Sequence, residues 1–220
     1  MTVHIAIGTE TLGTHRGAIV LSAAFVRFSD EAQVTLNLSA SDQEALGLDK
    51  DESTLAWWRD YDAKTPGSWA RATSNALPLA TALPYIASWI DWARGGDDIR
   101  IWSKGTEFGS LLGEVYRRAG IACPWQYHQL RDIRTLCDLA LIEPKDYAVL
   151  PPHVALNAAI EQRRVGNAAL AILARAHHRD PVERHHVAEI AISNAETAAQ
   201  LEIKDTTLRA ALVDNIVAAF

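Results

Sequence analysis

The first two strand-like stretches lie too close together for a parallel crossover, and that spacing dictates a sheet with an antiparallel edge. Residues 2–8 (TVHIAIG) place Val3, Ile5 and Ile7 at the two-residue period of a strand. The loop-like segment 8–17 (GTETLGTHRG), punctuated by Gly8, Gly13 and Gly17, leads directly into the apolar run 18–28 (AIVLSAAFVRF). A parallel neighbour needs about a dozen or more intervening residues, usually a helix, so these two strands pair antiparallel. Residues 32–38 (AQVTLNL) alternate cleanly and close a hairpin across Ser29, Asp30 and Glu31.

Downstream the apolar period becomes helical. Ser53 reads as the cap of a helix over 54–61 (TLAWWRDY), and 64–76 is broken by Pro66 and Gly67. A longer helix over 78–94 stops at Gly95 and Gly96, which suit a helix C-terminus. Residues 99–102 (IRIW) predict one further buried strand, followed by the loop Ser103, Lys104, Gly105. Helices are then predicted over 107–119, ended by Gly120, over 132–141 and over 157–176. The fold class is α/β, a mixed sheet flanked by helices. Ala-rich amphipathic segments around Asp205 follow, so the chain divides into a domain over 1–175 and a C-terminal helical extension over 176–220.

Composition narrows the function classes. The chain has 220 residues, with 27 acidic and 21 basic side chains and a net charge of −6, which argues against coating nucleic acid by bulk charge. A local grip on one strand end is still compatible with that balance. Two cysteines, Cys123 and Cys137, make neither a disulfide framework nor a four-cysteine zinc site, and a reducing cytoplasm is expected. No apolar run approaches the roughly 18 residues of a membrane span, and the N-terminus lacks a signal layout, so no membrane role is expected.

Five ordered segments carry a more specific signal. They are Ile5–Thr14 (IAIGTETLGT), Ser53–Arg59 (STLAWWR), Trp102–Gly109 (WSKGTEFG), Cys123–Leu136 (CPWQYHQLRDIRTL) and His153–Gln162 (HVALNAAIEQ). In that order they resemble the DEDDh 3′–5′ exonucleases, and most closely the phage-associated branch of that family. There, the first strand ends in Asp-x-Glu-Thr-Leu/Met-Gly-Thr, a Trp-Trp helix follows, and a Cys-Pro-Trp … Arg-Asp-x-Arg-Thr signature precedes a closing His-x-Ala-Leu-Asp-Asp-Ala helix. The resemblance covers roughly residues 3–175 and implies an RNase H-like mixed sheet. It also implies a bacterial host cell and a phage or prophage origin.

The family's chemistry explains its acids. Two Mg²⁺ ions roughly 3.5–4 Å apart stabilise the attacking and leaving oxygens of a phosphodiester displacement. Hard cations require oxygen ligands, and four carboxylates neutralise about four units of metal charge. Asp-x-Glu on a strand puts both carboxylates on one face, and a histidine deprotonates the attacking water.

This chain departs from that pattern at three of the four acids. Gly8, Gly109 and Ala158 stand where the resemblance places aspartates, and Asn157 replaces a further one beside Ala158. Glu10 and His153 alone remain of the catalytic set. Glu10 by itself is at best a weak metal ligand, because Mg²⁺ dehydrates reluctantly and depends on carboxylates. No cofactor is therefore expected, with Mg²⁺ or Mn²⁺ required only if activity survives.

Candidate nucleic-acid contacts surround this site. Thr11 follows Glu10 in the opening motif. Lys104 stands where the family has Asn, and its charge either substitutes in part for the metal or belongs to a solvated loop. Trp57 and Trp58, adjacent on a helix, point about 100° apart, so one faces the core and the other either stacks a base or packs beneath a loop. Arg131 and Arg134 suit phosphate contact or an ion pair with Asp138. The doublets His177–His178 and His185–His186 read as a solvated turn rather than a metal site. The C-terminal helices offer a homo-oligomer or protein interface, or fold back on the core.

Three readings stay open at this level. The first is a catalytically degenerate exonuclease homologue that retains binding to a single-stranded DNA or RNA end, or to a protein. The second is an active metal-dependent 3′–5′ exonuclease with an atypical site. The third is a purely structural or inhibitory partner.

Overall fold

The computed structural model describes residues 2–177, apart from the side chains of residues 106–108, 176 and 177. β1 (Thr2–Thr11), β2 (Val20–Arg27) and β3 (Gln33–Asn37) form the expected antiparallel meander. β1 runs three residues beyond Gly8, into the segment that reads as loop, because Gly8, Thr9 and Glu10 pair with Ala24, Ala23 and Ser22. Two short helices and two longer ones follow: α1 (Ala40–Ala45), α2 (Glu52–Lys64), α3 (Ser68–Thr73) and α4 (Leu79–Arg94). β4 (Asp98–Ser103), α5 (Thr106–Arg118), β5 (Leu130–Asp132), α6 (Ile133–Leu139) and α7 (Ala155–His177) complete the described chain.

The five-stranded sheet has the order β3-β2-β1-β4-β5, with β4 parallel to β1 and β5 parallel to β4. A mixed sheet flanked by helices is what the strand spacing and the resemblance both imply. Local details differ. Asp51, not Ser53, caps α2, since its carboxylate accepts the Ser53 N–H at 2.8 Å. The stretch 64–76 contains α3, started by Gly67 at φ 90°. Two strands, not one, follow α4, because Leu130–Asp132 adds to the β4 edge before α6 begins. That pairing is tertiary and leaves no periodic trace in three residues.

The sheet's two faces bury different things. Ile5 and Ile7 of β1 and Ile99 and Ile101 of β4 join Leu83, Ile86 and Ile90 of α4 and Leu112, Val115 and Tyr116 of α5 in the main core. On the opposite face, α7 lies on the sheet through small residues. Ala155 and Ala159 are 2% and 0% exposed, and a Cβ on Gly166 would come within 2.5 Å of the Phe28 ring. Residues Met1–Asn167 form one compact unit; a second begins at Ala168, and of it only the end of α7 is described. The sequence readings for the second histidine of the first doublet, His178, for His185–His186 and for the C-terminal helices lie outside the described residues.

A buried glutamine secures the sheet where its ladder runs out. β3 stops at Asn37, opposite Ser22, so Val20 has no strand partner on that side. The Gln43 side chain, fully buried on α1, donates to Val20 O and accepts from Val20 N, both at 2.8 Å. Replacing one partner strands two buried backbone groups, each costing about 1–3 kcal/mol. Gln43→Leu is expected to lower unfolding free energy by about 2–4 kcal/mol in urea denaturation.

Candidate active site

β1 carries the site's first residues past the end of its pairing with β4, which stops at Ala6 opposite Trp102. Beyond that point Gln162 of α7 takes over, its Nε2 donating to Ile7 O at 3.0 Å. The Gln162 Oε1 and the neighbouring Thr9 hydroxyl are buried without partners among the described residues. Both line a cleft of about 560 Å³, together with Glu10, Thr11, Lys104, Trp57, Trp58, His153 and Ala158. Prolines 144, 151 and 152 and Ile133 and Val165 supply its apolar wall.

The two tryptophans divide as their adjacency requires. Trp58 is 2% exposed and donates its indole N–H to Thr11 O at 3.0 Å, which ties α2 to the end of β1. Trp57 is 41% exposed and stacks on Tyr61, with ring centroids 5.0 Å apart and planes 11° from parallel. His153 sits edge-on to both Trp57 and Tyr61, at 4.5 and 4.7 Å between centroids. Its backbone adopts φ 57°, a left-handed conformation uncommon outside glycine, two residues ahead of α7. Burial among these rings lowers the imidazole's pKa from its ordinary value.

Glu10 is 9% exposed, and burial pushes its carboxyl up to about 7. The cleft's other carboxylate, Glu161, accepts the Leu150 N–H at 2.7 Å. Among the described residues no three His, Cys, Asp or Glu side chains come together to hold a metal ion. A two-Mg²⁺ centre asks for several convergent oxygen ligands, and this donor set does not fit one.

The three positions that lack aspartates have three different surroundings. Ala158 lines the cleft. Gly8 lies beneath α7, where a Cβ would stand 2.0 Å from Ala155 O and 2.9 Å from Ala159 N. Gly109 faces away, its would-be Cβ 2.7 Å from the Leu130 side chain, and lines a second cleft. Arg131 and Arg134 do not line the first cleft. Arg131 donates to His128 O and Leu130 O at 2.6 and 2.8 Å, and Arg134 pairs with Asp132 at 2.6 Å, where the sequence suggests Asp138. Sequence reasoning missed Thr9, Glu161, Gln162 and Lys145 as lining residues. The α7 members were signalled by spacing, since 158, 161, 162 and 165 share one helix face.

Glu10 and Gly8 each yield a prediction. With a folded pKa of about 7 against an ordinary 4.5, Glu10 costs nothing below pH 4.5. The cost grows as pH rises and is complete above 7. Glu10→Gln is therefore expected to match the wild type near pH 4 and exceed its stability by about 2–3 kcal/mol at pH 8, measured by denaturation across that range. Gly8→Asp is expected to lose at least about 3 kcal/mol, the upper range for overpacking, because backbone occupies the space; thermal unfolding checks this.

Comparison with protein families matches residues 3–170 to the 3′–5′ exoribonuclease Rv2179c-like domain. Comparison with curated proteins and with solved structures gave no match.

Proposed function

The chain belongs to the Rv2179c-like 3′–5′ exoribonuclease family, and on that premise we propose that it is a catalytically degenerate DEDDh homologue that binds the end of single-stranded RNA without metal. The observation that carries the reading is the cleft's content. It offers an exposed tryptophan, two lysines and an apolar wall, with no cluster of acids among the described residues to hold cations.

A phosphate approaching two metal-binding aspartates needs the metal to screen repulsion. Here burial raises Glu10 to about 7, so its charge is only partly present at neutral pH, and Glu161 is engaged by a backbone N–H. Lys104 and Lys145 then provide the charge that meets the backbone, while Trp57 provides a face or edge for a base. Gly8 supports the same reading from the steric side, because α7 occupies the volume an aspartate there would need.

Fluorescence polarisation of labelled single-stranded RNA in EDTA tests the binding half. Trp57→Ala is expected to cost about 1–3 kcal/mol of affinity. Lys104→Glu is expected to weaken binding roughly tenfold, about 1.4 kcal/mol. The catalytic half is tested by incubating RNA with Mg²⁺ or Mn²⁺, where no 3′ shortening is expected. Metal-dependent trimming that disappears in Glu10→Gln would overturn the proposal.

A further inference from the structure

A second cleft of about 620 Å³ opens on the same unit and shares Thr14 with the first. Its electrostatics run against the chain's acidic surplus. The buried Glu114 carboxylate is shared by three guanidinium groups: Arg117 at 2.8 Å, Arg118 at 3.0 Å and Arg16 at 3.3 Å. One negative charge against three positive ones leaves two uncompensated, and Arg16 and Arg117, which both line the cleft, are 79% and 59% exposed. Glu114 is the one carboxylate among the described residues that line this cleft; Asp49, hydrogen-bonded to His15 at 2.5 Å, is not among them. Tyr127, on the cleft's rim, is 87% exposed.

From this we infer that the second cleft is an upstream nucleotide subsite, in which Arg16 and Arg117 take backbone phosphates and Tyr127 stacks a base, for the strand whose end lies in the first cleft. The inference rests on the single-strand reading of that first cleft, with Thr14 at the junction. Exposed cations paired with an exposed aromatic are the elements by which single strands are held without sequence readout. Glu114 has a positioning role. Buried and fixed on α5, it orients the guanidinium groups that lie at the cleft's edge without neutralising both.

The test compares a dinucleotide with a single-stranded decanucleotide of RNA in EDTA, on the whole chain, by polarisation across a salt series. Wild type is expected to bind the longer probe at least tenfold more tightly. Arg16→Ala is expected to remove most of that gain, lower the slope of log affinity against log salt by about 0.7, and leave dinucleotide affinity unchanged. Tyr127→Ala is expected to reduce decanucleotide affinity alone. Both side chains are exposed, and an unchanged melting temperature confirms that folding is intact. Equal affinity for the two probes, or a length gain untouched in both variants, overturns the subsite while leaving the first cleft's role standing. Absence of binding to either probe overturns both. Displacement of the decanucleotide by poly-glutamate as effectively as by RNA overturns the subsite in favour of an acidic protein partner.

Discussion

The backbone of α7 meets β1 at Gly8, and the site's arrangement follows from that contact. A helix resting on a sheet is normally held off by side chains. Here Gly8 contributes none and Ala155 and Ala159 contribute one methyl each, so Ala155 O sits where a Cβ on β1 would be. The approach seats Gln162 against Ile7 O. It brings Ala158 and Gln162 to the floor of the cleft, and His153, with its left-handed backbone, lines the same cleft two residues ahead of α7. Close packing of this kind resists small adjustments, because interiors are already at crystal-like density.

Two glutamates on neighbouring clefts show how surroundings decide charge. Glu10 is enclosed by apolar and aromatic groups and is pushed up to about 7. Glu114 is equally hidden from solvent, yet the Arg117 guanidinium, with Arg118 and Arg16, holds its carboxyl down at about 2. The first cleft is thus more positive at pH 7 than its two glutamates and two lysines imply, and the second is positive in a chain whose net charge is −6. Global charge said little about either, because each depends on which side chains the fold gathers.

Much of the sheet was legible because its signals are local. Alternation marked the strands, and the short interval between the first two determined their antiparallel sense. The glycines after α4 and α5 marked helix ends. β5 was illegible because three residues pair only when β4 is already in place. Sequence alone does not separate Asp51 from Ser53 as the cap of α2, since both are good cap residues; in the fold Asp51 is also tied to Leu12, whose carbonyl accepts the Asp51 N–H at 2.7 Å. The site was legible as a set of motifs, and Glu10, Thr11, Trp57, Trp58, Lys104, His153 and Ala158 do share one cleft. Sequence could not reveal that Gly8 is a packing residue or that Gly109 looks into another cleft, because both facts depend on what lies opposite.

That difference bears on the three positions to which the resemblance assigns aspartates. If these three positions were simple vacancies, placing an aspartate at each would build, step by step, the donor set that the DEDDh resemblance implies. Their surroundings oppose this in unlike ways. At Gly8 the obstacle is helix backbone, which cannot rotate aside; at Gly109 it is the Leu130 side chain, which can. At Ala158 the position already faces the cleft. An aspartate at Gly8 requires α7 to lift, and lifting α7 removes the Gln162 bond to Ile7 O and displaces the very residues that line the floor. The glycine and the helix position are therefore one coupled feature, which on the proposed reading exchanges a cation site for a tightly packed floor.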